Sequence, residues 1–318
     1  MKLITILGPT CSGKSNLAID LARELMSQNF QVWVVSCDSK QVYKYFDIGT
    51  AKIAGKWSNT GVYLNQPAFV YKNIPHFLID YVDPFTNPDY SVNQYIQDFC
   101  RIFEKQTPDF VILVGGTGLY AKNIYSQTTY LATKDEYIQA QRDYKQDIEK
   151  LSLIDLQGKY NALDKTENGY RLLNSADLQN RIRLVSLLTQ YQGFINNWYD
   201  RLPLPNFEKK YLCCIKTTKT NLNQQISTKV KNRFEVGFLD EVRVLLKKGL
   251  SVQFLVNIGL DYRLAVLYFK GFLSHSDLVT KSIQENQKYA KRQITWFKKE
   301  PLVMIENTDE ILTVLNLV

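Results

Sequence analysis

The chain opens with an apolar run that stops at a glycine and resumes as a helical pattern. Leu3 to Leu7 is followed by Gly8-Pro9-Thr10-Cys11-Ser12-Gly13-Lys14-Ser15, and then by Leu17, Ile19, Leu21, Ala22 and Leu25 on one helical face. This is a P-loop pattern set in the strand, loop and helix that it requires. Gly8 and Gly13 let the backbone curl so that successive N–H groups converge on phosphate oxygens. Lys14 supplies a point charge, and the Ser15 hydroxyl can reach a phosphate-bound Mg2+. The motif commits the chain to an α/β fold, a P-loop parallel sheet flanked by helices. It does not say which phosphate is held.

Further strand signals agree. Gln31 to Ser36 reads as a second buried strand and ends at Cys37-Asp38-Ser39-Lys40-Gln41, Ile74 to Asp80 as a third, and Phe110 to Val114 as a fourth, which runs into Gly115-Gly116-Thr117-Gly118. Ligands in such sheets lie beyond the carboxyl ends of the strands, which places Asp38 beside whatever the P-loop holds. An Asp followed by Ser is equally a helix N-cap, and position alone leaves both readings open. The fourth strand argues against a motor or a GTPase, because it ends in glycines and a hydroxyl where those proteins need a carboxylate for Mg2+ and water. Thr117 can hydrogen-bond a substrate while the glycines keep the backbone clear, although a tight turn would use the same glycines. Phe46 to about Asn73 reads as a surface loop. His76 is expected to be a satisfied structural residue. Ser91-Val-Asn-Gln94 is a capping box for the helix that follows.

From about Lys122 the strand signals give way to polar helices, Asp135 to Leu156 and Asn174 to Tyr191, with Arg181 and Arg183 near the start of the second. The reading is a P-loop core over 1–121, an all-helical insertion over 122–202, and a continuation of the core over 203–318. Arg201 to Pro205 is the best linker, and Tyr211 to Ile215 resumes as the next strand of the same sheet. The remainder reads as helical, with Gly249 as a C-cap glycine and Ser274 capping the last helix. Between Lys281 and Lys299 stand six basic residues and the single acid Glu285, interleaved with Tyr289, Trp296 and Phe297. Such a helix suits nucleic acid, or is a core helix with a lysine-rich outer face.

Composition supports the charge argument without deciding it. A formal charge of +8 favours a polyanionic partner, and 45% hydrophobic residues over 318 positions allow about two domains with real cores. Five cysteines form no C-x-x-C pair and there are only two histidines, His76 and His275, so no zinc-ligand spacing exists. A reducing cytosol fits. With no signal peptide before Leu3 and no apolar run of membrane-spanning length, a soluble, cytoplasmic protein is expected.

Taken together, Gly8 to Ser15, Asp38-Ser-Lys-Gln-Val-Tyr43, Asp47-Ile-Gly-Thr-Ala-Lys52, Asp80-x-x-Asp-Pro84, Val114-Gly-Gly-Thr-Gly-Leu-Tyr120 and Ala290-Lys-Arg-Gln-Ile-Thr-Trp-Phe297 resemble the bacterial tRNA dimethylallyltransferases. The resemblance is strong to about Tyr120 and from Phe234 to Phe297, and weak between Asn123 and Lys210. It implies transfer of a dimethylallyl group from dimethylallyl diphosphate to N6 of the adenosine at position 37 of tRNA. The P-loop, Gly8, Pro9, Thr10, Cys11, Ser12, Gly13, Lys14 and Ser15, would then hold the diphosphate rather than ATP, with Mg2+ as cofactor on Ser15. Asp38 would be the general base and Thr117 its catalytic companion. Ser39, Lys40 and Gln41 would touch the extruded nucleotide. Arg142, Arg181, Arg183 and Arg292 would contact the tRNA anticodon stem-loop. A monomer with no membrane partner is expected.

The chain also departs from that pattern. The arginine cluster usual near the start of the second insertion helix is reduced to Arg181 and Arg183, with Gln179 and Asn180 at positions where basic residues are common. Cys11 stands for a small alanine, and Gln139 rivals Arg142 as the equivalent of a downstream arginine. Three other functions share these features: an adenylate isopentenyltransferase acting on free nucleotide, a P-loop kinase, and a non-catalytic RNA-binding P-loop protein. A mononucleotide enzyme would not need the insertion or the basic terminal helix, and a kinase would consume ATP.

Overall fold

The structure, a computed structural model, describes residues 1–58, 66–126, 130–132, 134–167, 170–201 and 204–317. The chain divides into two units, Met1–Ser126 with Pro205–Val318, and Gln127–Leu204.

The first unit carries an eight-stranded sheet. Strands β1 (Lys2–Leu7), β2 (Val32–Ser36), β3 (Lys56–Ser58), β4 (Ala68–Tyr71), β5 (Ile74–Phe77) and β6 (Phe110–Gly115) come from its first part. The helices α1 (Lys14–Ser27), α2 (Val92–Arg101) and α3 (Gly118–Tyr125) are interspersed with them. Continuous apolar stretches explain the centre: β2 and β6 are buried along their whole length, as strands covered on both faces must be. Ile4 of β1 lies in parallel register with Ile112 of β6 on one side and with Tyr211 on the other. Ala18, Ile19, Leu21, Ala22 and Leu25 seat α1 on this sheet, and Ser91 caps α2 through the expected capping box.

Two expectations are corrected here. The third strand stops at Phe77 instead of reaching Asp80, because Leu78 and Asp80 turn to φ of 55° and 54°. The stretch read as a loop up to Asn73 contains β3 and β4, its residues 59–65 lying outside the described ones. β4 folds back on β5 with Tyr71 opposite Ile74, across Lys72 and Asn73 at φ of 50° and 64°. Positive φ at both central residues is the mark of a two-residue hairpin whose twist matches its strands, here made without the usual glycine.

The second unit itself comprises β7 (Tyr130–Leu131) and β8 (Asp200–Arg201), paired with each other, and helices α4 (Asp135–Glu149), α5 (Leu153–Asn161), α6 (Ser175–Leu178) and α7 (Arg181–Ile195). Each helix read as continuous is split by an internal cap. Ser152 forms a capping box with Asp155, and the Asn180 side chain accepts from Arg183 N at 3.2 Å. Leu156, Tyr160, Leu184 and Leu188 form its core. Residues 202 and 203 of the expected linker lie outside the described ones.

β9 (Lys209–Ile215) pairs with β1 as the next parallel strand. Helices α8 (Lys219–Glu235), α9 (Phe238–Lys247), α10 (Val252–Ile258), α11 (Leu260–Phe269) and α12 (His275–Phe297) follow. Gly249, at φ of 90°, ends α9, and Ser274 caps α12. The helical reading of this region omits its end: β10 (Val303–Ile305) adds to β9, and α13 (Thr308–Leu315) closes the chain. The sheet order is β10-β9-β1-β6-β2-β5-β4-β3, so the turns after β1, β2 and β6 meet at one edge of three adjacent strands.

Candidate active site

The glycine-rich turn after β1 is strained in a specific way. Gly13 takes φ of 89° and Cys11, less usually for a residue with a side chain, 65°. Ser12 N donates to Pro9 O at 3.2 Å, and a Cβ on Gly8 would fall 2.7 Å from Ser12 Oγ. Cys11 N and Gly13 N find no acceptor among the described residues. Lys14 begins α1 and donates to Pro9 O at 3.2 Å; burial lowers its pKa, while the Asp38 charge pulls the other way. Thr10, Cys11, Gly13, Lys14 and Ser15 line a cavity of about 360 Å³.

Asp38, Lys40 and Gln41 line the same cavity. No helix begins at Asp38, so the N-cap reading fails. Its Oδ1 instead accepts from Lys40 N at 2.9 Å and Gln41 N at 3.3 Å within a turn, and both of these bonds fall on one carboxylate oxygen. Ser39 N donates to Thr117 Oγ1 at 3.1 Å, and that hydroxyl reaches Ser39 Oγ at 3.3 Å. Thr117 therefore stands behind the Asp38 turn and is not among the residues lining the cavity. The glycines after β6 make room for neighbours. A Cβ would lie 2.4 Å from Cys37 O at Gly115, from Gln293 Nε2 at Gly116, and from the Trp296 ring at Gly118.

The opposite wall comes from α8, α11 and α12. Lys229 donates to Cys11 O at 3.3 Å. Arg233 pairs with Asp261, at 7% and 2% side-chain exposure, and Asn286 Nδ2 donates to the other oxygen of Asp261 at 2.9 Å. Tyr289 has Lys40 Nζ 5.5 Å and the Arg292 guanidinium 5.7 Å from its ring centroid, a cation–π cluster at the wall. The Lys40 pKa is lowered by burial, opposed by the Asp38 charge. The lining thus contains five cations, of which Lys52 is paired with Asp47 and Asp80 and Arg233 with Asp261, so that Lys14, Lys40 and Lys229 face the single further lining carboxylate Asp38. Such a lining accepts an anion and leaves Asp38 within reach of it. His76 is buried, shares a hydrogen bond with Ile74 O through Nδ1 at 2.9 Å, and is pushed down to about 4 by that burial, as befits a structural histidine.

Other expected contacts are placed differently. Arg181 donates to the carbonyls of Glu149 and Leu151 at the break between α4 and α5, and Arg183 pairs with Asp177, so both serve the helical unit itself. Arg142 is exposed on α4 and Arg292 on α12. Sequence reasoning missed Lys229, Arg233, Asp261 and Gln293. A signal for the last did exist: the buried face of α12 reads Leu278, Ser282, Asn286, Ala290, Gln293 and Phe297, and polar residues on a core face need partners. The six basic residues of α12 and its extension are all exposed, so it is a core helix with a basic outer face. No cluster of three His, Cys, Asp or Glu that could hold a metal occurs among the described residues. No helix among them is long and apolar enough to cross a membrane.

Comparisons with known proteins identify the family and the fold. The family model described as IPP transferase matches residues 41–300. A tRNA dimethylallyltransferase 1 of Syntrophus aciditrophicus is 31% identical over 299 residues, 93% of this chain and 89% of that protein. A tRNA dimethylallyltransferase 2 of Shewanella sediminis is 32% identical over 300 residues, with the same coverage. Among solved structures, a tRNA isopentenylpyrophosphate transferase from Staphylococcus epidermidis superposes with a TM-score of 0.61 at 25% identity, over 99% of this chain and 98% of that one. A eukaryotic dimethylallyltransferase acting on tRNA gives 0.62 at 20% identity, over 96% and 74%, and shares the fold.

Proposed function

The chain belongs to the IPP transferase family, and from that premise we propose that it transfers a dimethylallyl group from dimethylallyl diphosphate to N6 of the adenosine at position 37 of tRNA, releasing diphosphate. The observation that carries this reading is the cation-lined cavity into which Asp38 opens. The diphosphate seats on the turn after β1, where Cys11 N, Gly13 N and the Lys14 ammonium face the charge that grows as the allylic C–O bond breaks. Lys229, held at Cys11 O, adds to the same field. The exocyclic amine attacks the allylic carbon, a C–N bond forms, and Asp38 takes the proton that N6 loses. Thr117 acts through Ser39, fixing the turn that carries Asp38.

A magnesium ion fits this lining as a partner of the diphosphate rather than as a resident of the protein. Ser15 offers one hydroxyl and no carboxylate cluster occurs among the described residues, so most of its ligands would be diphosphate oxygens and water. Bound there, it would neutralise leaving-group charge. No ATP is consumed. The exposed bases of α12, with Arg292 beside Tyr289, support contact with the tRNA backbone, and the helical unit with exposed Arg142 supplies further surface for the anticodon stem-loop. Such a substrate places the reaction in the cytoplasm.

The test is incubation of the protein with Mg2+, dimethylallyl diphosphate and unmodified tRNA, with AMP in parallel and ATP omitted, followed by mass spectrometry. One prenyl group on the anticodon-loop adenosine alone is expected. Prenylated AMP would assign the free-nucleotide reaction instead, and no product from either substrate would refute prenyl transfer.

A further inference from the structure

The Gln293 side chain hydrogen-bonds both the turn after β1 and the turn after β6. Its Oε1 accepts from Thr10 N at 2.8 Å and its Nε2 donates to Gly116 O at 2.9 Å. The amide cannot be reversed, since an N–H lies on one side and a carbonyl on the other. It is 6% exposed, and Gly116 has no room for a Cβ because Nε2 occupies that place. The contacts then continue without a gap: Gly116 precedes Thr117, Thr117 Oγ1 holds Ser39, Thr117 N donates to Cys37 O at 3.2 Å, and Asp38 lies between those two residues. Beyond the pairing of the strands that carry them, the loop that takes the leaving group and the turn that carries the base are therefore joined through an amide on α12.

We propose that Gln293 is a positioning residue for prenyl transfer, setting the separation between the diphosphate-holding turn and the Asp38 turn. The inference rests on the prenyl-transfer reading. Its physical basis is that displacement at the allylic carbon needs donor and acceptor aligned within a fraction of an ångström, whereas each substrate can bind its own half of the site without that alignment. Gln293 commits its Oε1 and its Nε2 to backbone groups, is buried, and is not among the residues that line the cavity. Its removal is felt when the two halves must act together. Binding to either half is spared. Gln293 also withdraws Thr10 N from the donors open to phosphate, which leaves Cys11 N, Gly13 N and the first N–H groups of α1 to that task.

The experiment measures single-turnover prenylation of tRNA by Gln293→Met, a variant of similar length without the amide, with dissociation constants for pyrophosphate and for tRNA and a thermal melt in parallel. We expect the rate to fall roughly 10- to 100-fold while both constants stay within about threefold of wild type. Gly116→Ala reaches the same bridge from its other partner and is expected to slow the reaction too, with the double variant no slower than the slower single one. A wild-type rate in Gln293→Met, a matching loss of pyrophosphate affinity, multiplying losses in the double variant, or unfolding below the assay temperature would each overturn the assignment. Wild-type protein that forms no prenylated tRNA would instead remove the reading beneath it.

Discussion

Lys14 and Lys52 both reach the wall of the same cavity, and both stand in glycine-containing turns, yet their surroundings are opposite. Lys14 has one hydrogen bond, to Pro9 O. Lys52 has three, to Tyr43 O at 2.8 Å and to Asp47 and Asp80 at 2.7 Å each, and its side chain is 1% exposed. The backbone repeats the contrast. Asp47 N, Ile48 N and Gly49 N all donate to the Glu241 carboxylate, whereas Cys11 N and Gly13 N have no acceptor among the described residues. In the turn at 47–49 the protein supplies its own anion. In the turn at 11–13 the anion is left to the substrate, so one motif is spent on holding the fold and the other is kept for chemistry.

That division can be broken by substitution. The largest effect is expected at Asp38. Asp38→Asn keeps an acceptor for Lys40 N and Gln41 N but not the base, so single-turnover prenylation should fall by roughly 10²- to 10⁴-fold with tRNA affinity nearly unchanged. A parallel loss in affinity would make Asp38 a binding residue. Lys52→Met should do the reverse. Stripped of its cation, Asp80 is left half-buried, and denaturant unfolding should report a loss of about 3 kcal/mol, with the surviving folded protein still active. An inactive but stable variant would place Lys52 with Lys14.

A pH effect of similar or smaller size is expected at His76. Its folded value of about 4 lies below the ordinary 6.5, so the unfolded chain binds more protons between those values and stability declines as pH falls through that window. The decline is at most roughly 3 kcal/mol. His76→Gln should remove this part of the slope in unfolding titrations at pH 7 and pH 5. An unchanged slope would mean that His76 is charged in the folded state.

The contrast also explains what the sequence allowed to be read. Strands β1, β2 and β6 are apolar runs broken only by Lys2, Thr5 and Ser36, and β1 and β6 run into glycine-rich turns, so the core sheet and the phosphate-facing residues stood out. The hairpin at Lys72 and Asn73 did not, because its left-handed residues are not glycines. The strand β10 is three residues long, too short for any period. Gln293 lay inside a recognised motif but was hidden by the basic face of the same helix. The partners that Arg181 and Arg183 find at a helix end and at Asp177 were not legible either, because a guanidinium with such a partner has the same sequence as one that faces solvent.

The most direct measurement is calorimetric titration of pyrophosphate with Mg2+ into wild-type protein, Lys14→Met and Lys52→Met, at a temperature where all three are folded. Losing a charged hydrogen bond to the leaving group should weaken binding roughly 10- to 100-fold in Lys14→Met, and Lys52→Met should bind as wild type does. Equal binding by Lys14→Met and wild type would contradict the assignment of the turn after β1 as the seat of the diphosphate.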